Sequence, residues 1–176
     1  MKDIKRVQVI GATGYGGVGI IELLINHPNF EITSLLAKDT VGNTIDKSYP
    51  HLNKLSSLPI EETSEETIGK NCDIIIFATP DTVAASTLSS IYKEKIQGKI
   101  KIIDFSGDFR FSTEERYNEY AEKHPKIKKP NHKFSTLLNE SVYGLPELFK
   151  NKIAGASIIG NPGCFAVSMI LGLAPL

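Results

Sequence analysis

The chain has 176 residues, enough for one domain with a substantial hydrophobic core and short for two. Hydrophobic residues at 41% and charged residues at 23% exclude a disordered or fibrous class. Twenty basic against twenty acidic side chains give a formal net charge of zero, which removes the electrostatic case for a nucleic-acid or anionic-membrane partner.

In chain order, Met1 to Val9 mixes charges with apolar residues and lacks the form of a signal peptide. Val7 to Ile10 predicts a short strand, the Gly-rich stretch from Gly11 a turn, and Val18 to Ile25 a helix stopped by His27-Pro28. Glu31 to Leu36 reads as a second strand, completing a βαβ unit, and Lys38 to Asn43 as a polar loop. Tyr49 to Gly69 predicts loops with one edge strand. The continuous apolar run Ile74 to Ala78 fits a parallel strand covered on both faces, ended by Thr79-Pro80-Asp81 and followed by a helix from Thr82 to Lys95. Lys101 to Phe105 reads as a buried strand, Glu114 to Lys123 as a surface helix, Lys126 to Lys133 as a solvated basic loop, and Ile153 to Gly160 as a further strand. Strands alternating with helices predict an α/β fold with a doubly wound, mostly parallel, Rossmann-like sheet. No apolar run has the length of a membrane span.

Gly11-Ala12-Thr13-Gly14-Tyr15-Gly16-Gly17 follows a strand and opens a helix, so its small residues let the backbone approach a pyrophosphate at the helix N-terminus. Placement inside a βαβ unit favours dinucleotide binding over a turn that serves backbone geometry alone. At the end of the second strand an acid favours the ribose hydroxyl of NAD and a cation the phosphate of NADP. Lys38 and Asp39 stand there together, and the residues leave both cofactors open.

Two cysteines, Cys72 and Cys164, are too few for a disulfide framework and fit a reducing cytoplasm. Cys72 precedes an apolar strand and reads as inert. Cys164 follows Asn161-Pro162-Gly163 and opens an apolar stretch of helical character, where a helix N-terminus stabilises a thiolate. On these residues a nucleophile and a buried structural thiol are both open for Cys164. A thiolate beside a nicotinamide suits oxidoreduction of an aldehyde or acyl phosphate, with Asn161 and nearby backbone N–H groups as part of an oxyanion site. Arg110 ends Asp104-Phe105-Ser106-Gly107-Asp108-Phe109-Arg110 at the carboxyl end of a predicted strand. It can clamp a carboxylate or phosphate, or pair with Asp104 or Asp108.

Taken together, the glycine turn, Tyr49-Pro50-His51-Leu52, the segment Ile103 to Arg110, Val142-Tyr143-Gly144-Leu145-Pro146-Glu147-Leu148 and Asn161-Pro162-Gly163-Cys164 resemble the N-acetyl-γ-glutamyl-phosphate reductase family of arginine biosynthesis. The resemblance lies within the wider group of semialdehyde dehydrogenases. It implies NADPH-dependent reduction of an acyl phosphate to a semialdehyde through a thioester on Cys164, with NADP preferred to NAD and no metal. It implies that Arg110 faces the substrate, that Ser106 lies near the phosphate, and that Asn161 contributes to substrate binding. Gly11, Thr13, Gly14, Tyr15, Gly16, Gly17, Lys38 and Pro80 are the cofactor-binding candidates. Two stretches depart from the family: Thr79-Pro80-Asp81-Thr82 stands where many members have Leu-Pro-His-Gly, and Phe165-Ala166-Val167 where Tyr-Pro-Thr is usual. The acyl group stays open between acetyl, succinyl and a carrier-linked form.

Family members continue into a second domain that supplies a general acid/base histidine and the oligomer interface. The resemblance therefore implies a dinucleotide-binding domain over 1–160, and over 161–176 the catalytic-cysteine turn and the start of a catalytic and dimerisation domain that the chain does not contain. None of His27, His51, His124 and His132 matches that histidine, and His51 reads as structural. The expectation is a cytoplasmic enzyme, homo-oligomeric at full length, with a small-molecule acyl phosphate as its partner. An alternative is a non-catalytic NADP(H)-binding redox sensor in which Cys164 is incidental.

Overall fold

The computed structural model describes residues 4–55, 57–128 and 131–175, so Lys129 and Pro130 of the basic stretch lie outside the described residues. The chain forms two compact units, Met1–Thr79 with Ile91–Ile102 and Pro80–Ser90 with Ile103–Leu176. Every strand pairing described is parallel, apart from one isolated antiparallel bridge between Thr44 and Pro59.

In the first unit, β1 (Lys5–Ile10), β2 (Phe30–Ala37), β3 (Ile60–Glu62) and β4 (Ile74–Phe77) lie in the order β3-β2-β1-β4. Helix α1 (Tyr15–Leu24) connects β1 to β2. The strands are apolar runs rather than alternating ones because both faces are covered: Val9, Ile10, Leu35, Leu36, Ile75 and Phe77 are all buried. One polar side chain interrupts β1. Gln8 is fully buried, but its amide donates to Ser34 Oγ (3.2 Å) and the Thr67 carbonyl (3.0 Å) and accepts from the Gly69 N–H (2.9 Å), so no hydrogen-bonding capacity is stranded. At the open end of the sheet, Arg6 donates to Asp73 from Nη2 (2.8 Å), Nε (3.1 Å) and its backbone N–H (2.9 Å), tying the start of β1 to the start of β4. These bonds hold the Asp73 carboxyl at about 2. The edge strand expected between Tyr49 and Gly69 is β3, preceded by short 3-10 turns at Ile45–Lys47 and Pro50–Leu55.

Helix α2 (Val83–Ile91) starts one residue later than expected and continues as a wider turn over Tyr92–Ile96. The strand β5 (Lys101–Asp104) leads to α3 (Glu114–Lys123), which has the predicted bounds and is capped by Thr113, whose side chain accepts from the Arg116 N–H. Then follow β6 (Ser141–Tyr143), α4 (Pro146–Gly155), β7 (Ile158–Gly160) and α5 (Cys164–Leu173). In the second unit β6 pairs with β7, and the Asn161 N–H donates to the Asp104 carbonyl at 2.7 Å, aligning the ends of β7 and β5.

The expected strand over Ile153 to Gly160 is corrected: Ile153, Ala154 and Gly155 close α4, and only Ile158–Gly160 extends. Pro146 starts that helix, since a missing N–H costs nothing in a first turn. The short apolar Ile153-Ala154 pair imitated a strand because periodicity separates the two states poorly over so few residues. The basic stretch is not solvated throughout either: His132 is buried, edge-on to Phe109 and Tyr117. No described helix is long and apolar enough to cross a membrane.

Between β4 and α2 the backbone is strained at Thr82, which has φ +74°. A β-branched residue in that region costs about 1–3 kcal/mol. Its N–H nevertheless donates to Asp108 Oδ1 (2.7 Å), with Ala85 N–H on Oδ2 (3.0 Å), so the Asp108 carboxylate caps the first turn of α2 and holds the strained residue. Thr82→Gly should remove the strain and raise the melting temperature by roughly 2–4 °C, about 1 kcal/mol in a chain of this size. A thermal melt showing no change or a decrease would reject the strain assignment.

Candidate active site

In the first unit the glycine turn is built by contact. A Cβ on Gly17 would stand 2.2 Å from the Gly11 carbonyl oxygen, and one on Gly11, itself at φ +82°, would stand 2.4 Å from the Ala78 oxygen. Those two positions exclude any side chain, and the turn packs directly on the end of β4. Gly14 is different: a Cβ there would meet nothing closer than 3.5 Å. It is the N-cap of α1 and supplies no side-chain hydrogen bond to the helix. The helix start is therefore open and uncapped, lined by backbone N–H groups, which fits the pyrophosphate of a dinucleotide. Tyr15 is fully exposed at the first helical position.

The neighbouring loop is tied to this turn. Thr13 Oγ1 donates to Asp39 Oδ1 at 2.8 Å, and the Tyr49 hydroxyl donates to the Thr13 carbonyl at 3.0 Å. Asp39 thus has one carboxylate oxygen engaged by the turn, while Lys38 is exposed. The His51 ring sits 2.6 Å from Glu22 on α1, a structural contact between the 3-10 segment and the helix. The anchoring by Tyr49 had a sequence signal only in the Tyr49-Pro50-His51-Leu52 segment.

In the second unit, Arg110, Asn161 and the Cys164 turn come together. Arg110 Nε donates to the Asn161 carbonyl (2.7 Å) and Nη2 to the Phe105 carbonyl (2.7 Å). Its Nη1 lies 3.4 Å from the place a Cβ on Gly163 would take, so the guanidinium faces the residue before the cysteine. No ion pair joins Arg110 to Asp104 or Asp108 among the described residues, because both carboxyls are engaged elsewhere. The close passage of the Phe109–Arg110 backbone over β7 requires Gly160, where a Cβ would stand 2.0 Å from the Phe109 carbonyl oxygen. Cys164 is exposed as the first residue of α5, with Gly163 as N-cap and no side-chain cap on the helix. Cys72 is buried, and burial pushes its thiol up to about 11.

Ser106 is buried and bonded inward: its hydroxyl donates to Asp104 Oδ2 (2.7 Å), its N–H to Asp104 Oδ1 (3.1 Å), and its oxygen accepts the Asp108 N–H (3.1 Å). Pro80 lies before α2, its carbonyl accepting from Val83 N–H (3.3 Å). Three residues around this loop were not singled out from the sequence. Asp81 Oδ1 accepts the Gly107 N–H at 2.5 Å, Asp108 caps α2, and the His132 ring lies 2.8 Å from the Asp108 carbonyl. His132 Nδ1 accepts from the Phe134 N–H (3.0 Å), so Nε2 carries the ring proton, and burial lowers its pKa, keeping the ring neutral. Burial, together with the neighbouring Asp108, pushes the Asp104 carboxyl up to about 7.

Parallel strands joined by a glycine turn with an uncapped helix start define an α/β domain of the Rossmann-like class. The chain belongs to the family described as "Semialdehyde dehydrogenase, NAD binding domain", which matches residues 6–156. It is 40% identical to the N-acetyl-gamma-glutamyl-phosphate reductase of Bacillus cereus over 97% of this chain and 46% of the relative. The chain thus spans about half the length of the curated relatives it matches. Among solved structures it is similar to aspartate semialdehyde dehydrogenase II from Vibrio cholerae, with TM-score 0.64 and 20% identity over 98% of this chain and 42% of that one. It is similar also to aspartate semialdehyde dehydrogenase with NADP from Candida albicans, with TM-score 0.61 and 18% identity over 98% of this chain and 46% of that one.

Iodoacetamide at neutral pH should label Cys164 at least ~10-fold faster than Cys72, because one thiol is exposed at a helix start and the other is buried with a raised pKa. Equal rates by peptide mass spectrometry would remove Cys164 as the reactive thiol. Asp104 generates a pH dependence. Its folded pKa of about 7 exceeds the ordinary ~3.9, so between those values the folded chain binds more protons than the unfolded one. Its contribution to stability is greatest at the acid end of that window and declines as pH rises to about 7, while Asp73 stays ionised throughout. The Asp104 contribution should decline from pH 5.5 to 7.5 whatever the opposite slope of the buried His132. The melting-temperature difference between the native chain and Asp104→Asn should therefore change over that range; a difference independent of pH would contradict the assignment.

Proposed function

We propose that this chain is the nucleotide-binding and nucleophile-bearing part of an NADPH-dependent reductase that converts N-acetyl-γ-glutamyl phosphate to N-acetylglutamate 5-semialdehyde and phosphate. The carrying observation is the exposed Cys164 at the start of α5, with the clamped Arg110 facing the adjacent Gly163. The 40% identity to a reductase of that name supports the choice of acyl phosphate.

In this reading the Cys164 sulfur attacks the acyl carbon, the C–O bond to phosphate breaks, and phosphate leaves as the thioester forms. Arg110 Nη1 offers charge-assisted hydrogen bonds to the phosphate, while Nε and Nη2 hold the guanidinium in place. Backbone N–H groups at the start of α5, with Asn161 beside them, stabilise the developing oxyanion. A dinucleotide, when bound, would supply the hydride that takes the thioester to the aldehyde, with the Cys164 thiolate as the leaving group. The open start of α1 would hold the pyrophosphate, with Thr13 and Tyr15 flanking it. Lys38 is the residue proposed for the ribose phosphate of NADP, since Asp39 is engaged by Thr13.

We propose further that 161–176 opens a second domain which carries the acid/base histidine and an oligomer interface in the full-length cytoplasmic enzyme. That domain would cover Phe165, Met169 and Leu173, which repeat at i, i+4 and i+8 on α5 and are 85%, 66% and 62% exposed.

The test has two arms. In the full-length protein, acyl-phosphate reduction should fall about 10³-fold or more on Cys164→Ser; retained turnover would reject the thioester route. The 176-residue chain alone should bind NADPH at least ~10-fold tighter than NADH by calorimetry, yet turn over only in traces. Tighter NADH binding would reject the NADP assignment, and turnover at ~1–10³ s⁻¹ would show that no further domain is needed.

A further inference from the structure

A cavity of about 360 Å³ lies wholly within the second unit, at the opposite end of the loop that follows β5 from Asp104. Its walls come from that loop, α3, β6, α4 and α5, and include Arg110, Ser112, Arg116, Tyr143, Phe149 and Ile170. Two of the chain's three arginines line it, and no aspartate or glutamate does. Arg116 is the third residue of α3; its backbone N–H serves the Thr113 cap, and its side chain has no ion-pair partner among the described residues. Phe149 packs edge-on to Tyr143 at 6.3 Å and gives the cavity an aromatic wall. A space of this size, positively charged on one side and apolar on the other, matches a small anion with a short carbon body. Arg110 joins it to the chemistry, because the same side chain lines the cavity and faces Gly163 with Nη1.

We propose that this cavity receives the end of the acyl phosphate remote from the reacting phosphate, a free carboxylate on a short carbon chain, and that Arg116 is the residue selecting that carboxylate. The proposal rests on the acyl-phosphate reading above. Arg110 then serves the reacting end and Arg116 the remote end, with Phe149 and Ile170 against the methylene groups between them. Arg116 takes no part in bond making, so its loss should appear in substrate binding rather than in turnover.

In the full-length protein, Arg116→Gln should raise KM for the acyl phosphate about tenfold or more while kcat stays within about twofold, and Arg116→Lys should recover part of the loss. KM for inorganic phosphate in the reverse direction should not move. Separately, glutarate added to the 176-residue chain should shift the backbone amide resonances of Ser112 and Tyr143 in the native chain and not in Arg116→Gln. If the enzyme reduces the acyl phosphate, Arg116→Gln leaves KM unchanged and glutarate shifts nothing, the cavity assignment is overturned and the reductase reading stands. If the native enzyme does not reduce the acyl phosphate but glutarate shifts those resonances through Arg116, the reductase reading fails and a carboxylate site remains.

Discussion

Close backbone approach at the carboxyl ends of parallel strands is the constraint on which both units depend. In the first unit Gly17 touches the Gly11 carbonyl and Gly11 touches the end of β4; in the second, Gly160 touches the Phe109 carbonyl. At each place a single Cβ would stand 2.0–2.4 Å from a backbone oxygen, well inside van der Waals contact. The consequence is functional in both cases. Without a side chain at Gly17, α1 starts directly on the turn, with no side-chain cap on its first N–H groups. Without one at Gly160, the chain carrying Arg110 lies against the strand that delivers Cys164.

Hydrogen bonds then convert close approach into fixed geometry. Thr13 is held by Asp39 and Tyr49, which fixes the turn between Gly11 and Gly14 and offsets part of the entropy that ordering a glycine-rich segment costs. The loop after β5 is held by Asp81 at Gly107, by Asp104 at Ser106 and by Asp108 at the start of α2. The strained Thr82 belongs to the same arrangement. Here the Asp108 carboxylate, accepting from the Thr82 and Ala85 N–H groups, supplies the compensation that a threonine at positive φ needs.

Much of this was legible in the sequence because it depends on local signals. The strand, glycine turn and helix at the N-terminus, the buried run at β4 and the bounds of α3 all follow from periodicity and punctuation over short windows. The Pro162-Gly163 turn placed Cys164 at a helix start for the same reason. What escaped was set by partners distant in sequence. β6 has three residues, too few for a pattern, and pairs with β7, of which the sequence placed the end but not the start. Asp108 caps a helix that starts 25 residues earlier, and nothing in its own segment announces this. His132 looked solvated because its neighbours are lysines, whereas Phe109 and Tyr117, far along the chain, bury it.

The electrostatics of the loop after β5 explain how one arginine among three nearby acids remains available to a ligand. Sequence alone made pairing with Asp104 or Asp108 as natural as ligand binding. Asp108 is consumed by the N–H groups of Thr82, just before α2, and of Ala85 in its first turn, where the helix dipole favours its negative charge. Asp104 is consumed by Ser106 and by burial that favours its protonated form. Asp81 is bonded to Gly107 and lies 3.5 Å from His124. Arg110 is left with carbonyl oxygens, which orient the guanidinium without cancelling its charge. A carbonyl is a dipole and a carboxylate a full charge, so the first fixes direction while the second would neutralise. The two carbonyl contacts therefore leave an oriented cation, unpaired by these acids, facing the residue before Cys164, as the proposed anionic leaving group at that cysteine would require.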